Sequence, residues 1–273
     1  DIIELNSRSV SETLQRGGTF LMTARSKTFQ TPEGVDKAIE MARVFNIDAV
    51  ITIGGDGTFR GARELARKGF PVIGVPGTID NDIACTEYTI GYDTAMNTAM
   101  QAIDRLRDTA SSHERCSVIE VMGRNAGYLA LNVAVATGAE VVMIPEIETD
   151  FQRDVIKILL DSRNRGKKHY IVVVAEGTGN AIEIAEKIQM ITGIEARATI
   201  LGHLQRGGSP TLRDRQMGSI MGLRAIECLR DGRINRIIAY RHGDILDLDI
   251  EDALIMTKTI DALDLERARI LAM

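Results

Sequence analysis

The chain contains no apolar run long enough to span a bilayer, and its opening residues do not read as a signal peptide, so neither a membrane nor an export route is expected. Cysteine is scarce: Cys85, Cys116 and Cys228 are scattered without metal-ligand spacing, which suits a reducing cytoplasm. No charge sign dominates, since a net charge of −5 is spread over mixed residues, which argues against nucleic acid or an anionic membrane as the main partner. Low-complexity segments and tandem repeats are also missing. What remains is 273 residues with 44% hydrophobic content, enough for a real core and of a size at which one core tends to become two lobes.

The stretch from Asp48 to Asp82 organises the rest. It reads Asp48-Ala-Val-Ile-Thr-Ile-Gly-Gly-Asp-Gly-Thr58 and, after a short helix, Pro71-Val-Ile-Gly-Val-Pro-Gly-Thr-Ile-Asp-Asn-Asp82. Each half is a β-branched apolar run that breaks into glycine and then presents carboxylates, the way a buried parallel strand delivers groups to its carboxyl edge. Strands are expected at 48–53, 71–75, 116–121, 140–144, 170–175, 196–201 and 236–240, alternating with helices at 32–45, 59–68, 92–107, 151–163 and 181–191. A further helix is expected after Met122–Gly127, and Gly202–Pro210 should open one reaching Leu229. Ser9–Leu14 suggests a short helix, Arg16–Arg25 a turn into a strand, and the end of the chain a helical tail. The fold class is therefore α/β: two Rossmann-like lobes of mainly parallel sheet flanked by helices. The expected division is 1–91 plus 205–254 against 92–204 plus 255–273.

Polar clusters repeatedly coincide with strand ends. In Gly54-Gly-Asp-Gly-Thr58 the glycines permit backbone approach to a polyphosphate and Asp56 can reach magnesium, although an ordinary strand–turn–helix would read the same. Thr78-Ile-Asp-Asn-Asp82 offers two carboxylates that can divide the labour, one as base to a hydroxyl, against the alternative of an Asx-rich turn. Met122-Gly-Arg124 precedes a helix whose amides favour an anion. Arg197, His203 and Arg206 suit a phosphate monoester because guanidinium forks match phosphate oxygens. Glu176 is ambiguous between a helix cap and an acceptor for sugar hydroxyls. By themselves Arg105, Arg107, Arg115, Arg165, Lys167 and Lys168 read as solvated charge near helix ends.

Together and in this order the motifs resemble ATP-dependent 6-phosphofructokinases of the bacterial type. The matching stretches are Gly-Gly-Asp-Gly at 54–57, Pro-Gly-Thr-Ile-Asp-Asn-Asp at 76–82 and Arg-Asp-Thr-Ala-Ser-Ser-His at 107–113, then Met-Gly-Arg at 122–124, Ala-Glu-Gly at 175–177 and Leu-Gly-His-Leu-Gln-Arg-Gly-Gly-Ser-Pro at 201–210. The resemblance implies a kinase that uses MgATP on fructose 6-phosphate, with Asp80 as base, Arg124 and Arg25 offsetting charge, and Asp56 as magnesium ligand. It implies nucleotide contacts from Arg25, Ser26, Gly55, Asp56, Gly57 and Thr58, in a nucleotide-binding lobe formed by 1–91 plus 205–254. The sugar-phosphate lobe, 92–204 plus 255–273, works with Thr78, Ile79, Asp80, Met122, Gly123, Arg124, Glu176, His203, Leu204, Gln205 and Arg206. Arg115 and Arg197 match arginines that reach the site of a neighbouring subunit, which implies a homotetramer with shared sites.

The resemblance also reassigns the basic clusters. Arg107, Gly138, Ala139, Glu140, Arg165, Lys167, Lys168 and His169 match an effector site at which ADP activates and phosphoenolpyruvate inhibits; Ser7, beside Arg8, stands where an effector-site arginine is common. Pyrophosphate-dependent relatives carry Asp and Lys where this chain has Gly57 and Gly77, so ATP is the expected donor. The rival expectations are a non-catalytic, regulatory subunit and, behind it, a pyrophosphate-dependent enzyme; intact Asp56 and Asp80 argue against the first. The resemblance further implies that a first strand and its glycine-rich phosphate loop precede residue 1.

Overall fold

In the computed structural model residues 2–110 and 114–272 are described, so Ser111–His113 of the 107–113 motif lie outside the described residues. The chain divides into two compact units: Asp1–Thr78, Ile83–Gly91 and Gly208–Lys258 form one, and Ile79–Asp82, Tyr92–Gly207 and Thr259–Met273 the other. Contacts thus assign the short Ile79–Asp82 segment to the second unit although its neighbours on both sides belong to the first.

The first unit is built on strands β1 (Val50–Gly54), β2 (Val72–Pro76), β7 (Arg236–Arg241) and β8 (Asp244–Asp249), hydrogen-bonded in that order. β1, β2 and β7 are parallel, and β8 returns antiparallel to β7. Parallel neighbours need crossovers, here helix α2 (Asp56–Arg67) between β1 and β2. Before them lies α1 (Pro32–Val44), begun by Thr31, whose hydroxyl accepts the Gly34 N–H at 3.1 Å, and by proline at its first position. Phe59, Leu65, Val72, Ile237 and Ile250 centre the core between the helices and this sheet.

In the second unit the order is β4 (Val141–Met143), β5 (Tyr170–Ala175), β3 (Arg115–Val121) and β6 (Glu195–Ile200), all parallel. Alternate residues of β3 and β5 face opposite sides. Cys116, Val118, Val172 and Val174 meet α6 (Ala181–Thr192) and the helical stretch that runs as a π turn over Gln152–Ile156 into α5 (Lys157–Asn164). The other side is covered by α3 (Tyr92–Ala110) and α4 (Tyr128–Thr137). α4 is apolar almost all round, with Leu129, Ala130, Leu131, Val133 and Ala134 buried, as a helix enclosed on several sides should be.

Four expectations are corrected. Ser9–Leu14 forms only turns, and Arg16–Arg25 contains no strand: Phe20, Leu21 and Met22 are exposed, Met22 has φ +60°, and among the described residues nothing pairs with the outer edge of β1. Gly202–Pro210 does not open directly into α7 (Leu212–Arg230); Gly202–Arg206 is a 3-10 turn, and α7 starts afresh with the Thr211 hydroxyl accepting the Asp214 N–H at 3.3 Å. The end is not all helical, because β8 precedes α8 (Ile250–Ile255) and α9 (Ala262–Leu271). Its hairpin turns on His242 and Gly243 at φ +52° and +92°, the two left-handed residues that match strand twist.

β8 is pinned by one carboxylate. Asp247, with a side chain only 5% exposed, receives Arg224 at 2.7 Å, Arg233 at 2.6 Å and Arg236 at 3.0 Å. Burial alone would raise its pKa, but the Arg236 hydrogen bond and the charges of Arg233 and Arg224 outweigh that and lower it. Asp247→Ala leaves three guanidiniums facing each other and should cost about 3 kcal/mol. Because the folded pKa is depressed, the contribution is full above the ordinary carboxylate range and is lost as pH falls through the folded value. Thermal melts of both proteins across pH should therefore differ most near neutrality and converge in acid.

Candidate active site

In the first unit Gly55, Asp56, Gly57 and Thr58, four of the expected nucleotide-side residues, follow directly on the end of β1. Gly55 caps α2 and Asp56 is its first residue, so the carboxylate lies at the positive end of the helix dipole. Asp56 Oδ2 accepts from Arg60 Nε at 2.7 Å, one turn on. Gly57 has open space where a Cβ would be, and its φ lies outside the left-handed region, so neither packing nor backbone requires glycine there. At Gly77 a Cβ would come 3.0 Å from Ile53 Cγ2, while its N–H continues the ladder to Gly54 O at 3.0 Å. Thr58 is exposed, as are Arg25 and Ser26, which precede the 3-10 turn Thr28–Gln30; Ser26 Oγ accepts the Phe29 N–H at 3.2 Å. Beyond β2 the neck of the acidic loop is stapled: Ile90 N donates to Pro76 O at 2.9 Å and the buried Thr89 hydroxyl to Thr78 O at 2.6 Å.

Most of the sugar-phosphate set lies in the second unit. Asp80 is 8% exposed, and burial pushes its pKa up, helped by the negative charges of Asp82 and Glu176 and opposed by Arg206 and Arg124. These five residues, from the loops after β2, β3, β5 and β6, therefore share one electrostatic neighbourhood. The turn after β3 is built to fit it. Glu176 Oε1 accepts the N–H groups of Gly123 at 3.3 Å and Arg124 at 2.6 Å, fixing Arg124 in the left-handed region at φ +57°. Gln205, 1% exposed, accepts the Met122 N–H at 2.8 Å through its side-chain oxygen and so ties the 3-10 turn to the same place. Ile79 is half-buried, while His203, Leu204 and Arg206 are exposed along that turn.

Arg115 and Arg197 are not part of this group. They sit on β3 and β6, bridged by Glu195, which accepts from Arg115 Nε at 2.8 Å and Arg197 Nε at 3.0 Å. In parallel register Arg115 faces Glu195, whereas Met122 follows the other end of β3. Seven residues of strand put roughly 20 Å between those ends. Glu195 is the residue that sequence reading missed here; nothing in its local pattern marks it.

The effector-matched residues cluster at the start of β5 and the end of α4. Glu140, 3% exposed, is paired with Lys167 and accepts the Ile171 N–H at 2.6 Å. Arg107 donates to the Thr137 carbonyl in the last turn of α4, which Gly138 ends at φ +60°, and Ala139 is buried next to it. Lys168 lies 4.0 Å from Glu114, and His169 is half-buried. A cavity of about 170 Å³ opens beside Glu140, Asp161, Ser162, Arg165 and Arg269.

Each unit is thus a parallel-sheet α/β body with glycines, carboxylates and arginines collected on the loops that follow its strands. A family model described as phosphofructokinase matches residues 1–229. The chain is 51% identical over 272 residues to an ATP-dependent 6-phosphofructokinase of Brevibacillus brevis, covering 100% of this chain and 85% of that one. It is 49% identical over 261 residues to one of Clostridium botulinum, covering 96% and 82%. Among solved structures, Pichia pastoris phosphofructokinase in the T-state superposes with TM-score 0.85 at 32% identity, covering 92% of this chain and 31% of that one. The Saccharomyces cerevisiae enzyme gives 0.81 at 31%, with 88% and 36% covered. The chain belongs to the phosphofructokinase family.

A Cβ at Gly177 would lie 2.3 Å from the Arg124 carbonyl oxygen, and that carbonyl is held by the turn Glu176 fixes. Gly177→Ala should therefore displace the Arg124 turn at a cost of about 1–3 kcal/mol. Chemical denaturation of the variant beside the unaltered chain reads the stability loss.

Proposed function

We propose that the chain transfers the γ-phosphoryl group of ATP to the 1-hydroxyl of D-fructose 6-phosphate, giving fructose 1,6-bisphosphate and ADP, the committed step of glycolysis. The relatives named above carry the enzyme class, and one observation carries the chemistry: a buried carboxylate, Asp80, with its pKa raised among Asp82, Glu176, Arg206 and Arg124. A raised pKa makes the Asp80 carboxylate a better proton acceptor. The proton of the 1-hydroxyl passes to Asp80 as that oxygen bonds to the γ-phosphorus, and the bond from phosphorus to the bridging oxygen breaks to release ADP. On this proposal Arg124 and Arg25 have the task of offsetting charge on the transferred group, and Arg206 and His203 that of holding the 6-phosphate. Glu176 spends one oxygen on the Gly123 and Arg124 amides, leaving the other for a sugar hydroxyl.

Magnesium enters with the nucleotide. Among the described residues no group of three or more His, Cys, Asp or Glu could hold a metal unaided, whereas a lone carboxylate at a helix start suits an ion that keeps its waters and phosphates. Asp56, now bonded to Arg60, is the carboxylate that would hold the ion, whose chemistry would be further charge neutralisation at the phosphates. Gly55, Gly57 and Thr58 line the nucleotide, with Ser26 alongside Arg25. The space at Gly57 favours ATP over pyrophosphate, because no side chain crowds the α-phosphate.

Arg115 and Arg197, at the far end of their strands, serve the site of a second copy, in keeping with a homotetramer. An exposed apolar row on α7, Ile220, Leu223 and Ile226, supports self-association. The cluster at Glu140, Arg107, Arg165 and Lys167 is the place for ADP and phosphoenolpyruvate, and the cytoplasm is where all these ligands occur. No helix among the described residues is long and apolar enough to cross a membrane.

Asp80→Ser should lower kcat by about 10²–10⁴-fold with fructose 6-phosphate affinity little changed. The acid limb of the wild-type kcat profile should lie above the ordinary carboxylate pKa, because Asp80 must be ionised to accept the proton and its pKa is raised. Near wild-type turnover in the variant would remove Asp80 from the role. Arg115→Ala and Arg197→Ala should each weaken fructose 6-phosphate binding, and hybrids of either with Asp80→Ser should regain activity after subunit exchange; failure to do so contradicts shared sites.

A further inference from the structure

Asp80 is followed by a residue with left-handed backbone. Asn81 has φ +51° and is 5% exposed. Asparagine enters that region more readily than other non-glycine residues, and a buried one there still needs partners for its side-chain amide. The peptide between the two residues is planar, so fixing Asn81 also restrains the main chain from which the Asp80 side chain projects.

What holds Asn81 is Tyr92, the first residue of α3. Its hydroxyl, on a ring only 6% exposed, donates to the Tyr128 carbonyl at 3.0 Å. The same oxygen accepts from Asn132 Nδ2 at 2.9 Å and is hydrogen-bonded to the Asn81 side chain. One donor and two acceptances exhaust what a phenol can offer. Asn132 also donates to Tyr128 O at 2.9 Å, so the phenol is anchored at two points of α4. α4 is itself immobilised by burial, with Leu129 and Ala130 fully covered. Burial pushes the Tyr92 phenol far above its ordinary pKa, which keeps the hydroxyl protonated and the hub intact at any working pH.

We infer that Tyr92 is a positioning residue for phosphoryl transfer: through its hydrogen bond to Asn81 it fixes the left-handed peptide after Asp80 and aims that carboxylate at the acceptor hydroxyl. The inference rests on Asp80 being the base, and it adds a residue that touches neither substrate. A misplacement of about 1 Å at a reacting group costs on the order of a hundredfold in rate. Loss of the hub should therefore appear in kcat, while the groups that bind the sugar phosphate, Arg206 and the Glu176-held turn, stay in place.

The test uses the full chain, MgATP and fructose 6-phosphate, with Tyr92→Phe, Asn81→Gly, the double variant and Asp80→Asn assayed side by side. Tyr92→Phe should lower kcat by about ten- to a hundredfold with KM for fructose 6-phosphate nearly unchanged, and should lower the melting temperature because the buried partners of the hydroxyl lose their bonds. Asn81→Gly keeps a left-handed backbone accessible and loses the same bond, so it should fall equally far. The double variant should fall no further than either single one, since both remove one interaction. Wild-type kcat in Tyr92→Phe, a rise in KM that accounts for the whole loss, or multiplicative losses in the double variant would each overturn the inference. Asp80→Asn separates the two levels. If it is inactive while Tyr92→Phe is fully active, only the positioning role fails; if it turns over normally, the base assignment fails and the positioning role with it.

Discussion

The parallel register of β3 with both of its neighbours is the constraint from which the rest of the site descends. Val121 lies opposite Ala175 and Glu120 opposite Ile200, so the chain leaves β3, β5 and β6 at one edge of the sheet. That is why Met122–Arg124, Glu176 and Gly202–Arg206 become neighbours although long stretches of sequence separate them. The Glu176 carboxylate then converts proximity into a fixed turn by accepting two adjacent N–H groups. The same register places Arg115 and Glu195 at the opposite edge and Arg197 two residues in from it.

Three shielded aspartates show how one residue type is given different work. Asp247 is surrounded by three arginines, and Asp154 by Arg153 at 2.8 Å and Arg269 at 3.1 Å; both pKa values are lowered, and both carboxylates tie elements together. For Asp154 the Arg153 hydrogen bond leads, and the tie joins the π turn before α5 to α9. Asp80 instead meets two carboxylates as well as two arginines, so burial prevails and its pKa rises. Surplus cation makes a strut, and balanced charge in a shielded place leaves a carboxylate suited to the base role proposed for Asp80.

The sequence disclosed the parts governed by short-range pattern. Strands such as Tyr170–Ala175 are unbroken β-branched runs ended by polar residues, and such runs are legible because both faces are buried. β8 escaped because Asp244-Ile-Leu-Asp-Leu-Asp249 is half polar, and its clue was the His242–Gly243 turn before it. The 16–25 stretch was apolar enough for a strand, yet a strand exists only if something pairs with it. Individual site residues such as Asp80, Arg124, Glu176 and Arg206 stood out by type and place, and their shared neighbourhood emerged from the fold. The link from Tyr92 to Asn81 left no trace in the sequence, because a phenol at the start of an amphipathic helix looks like any other buried aromatic.

Gly57 has a consequence for anyone redesigning this protein. It lies in the first turn of α2, where its backbone is ordinary and a methyl group would meet nothing. Glycine inside a helix costs roughly 0.5–1 kcal/mol relative to alanine. A computational or consensus search for thermostability would therefore choose this position early and score the change as a gain. Under the nucleotide role proposed for Gly57, heat tolerance and turnover would then part company at a site that no folding assay could flag.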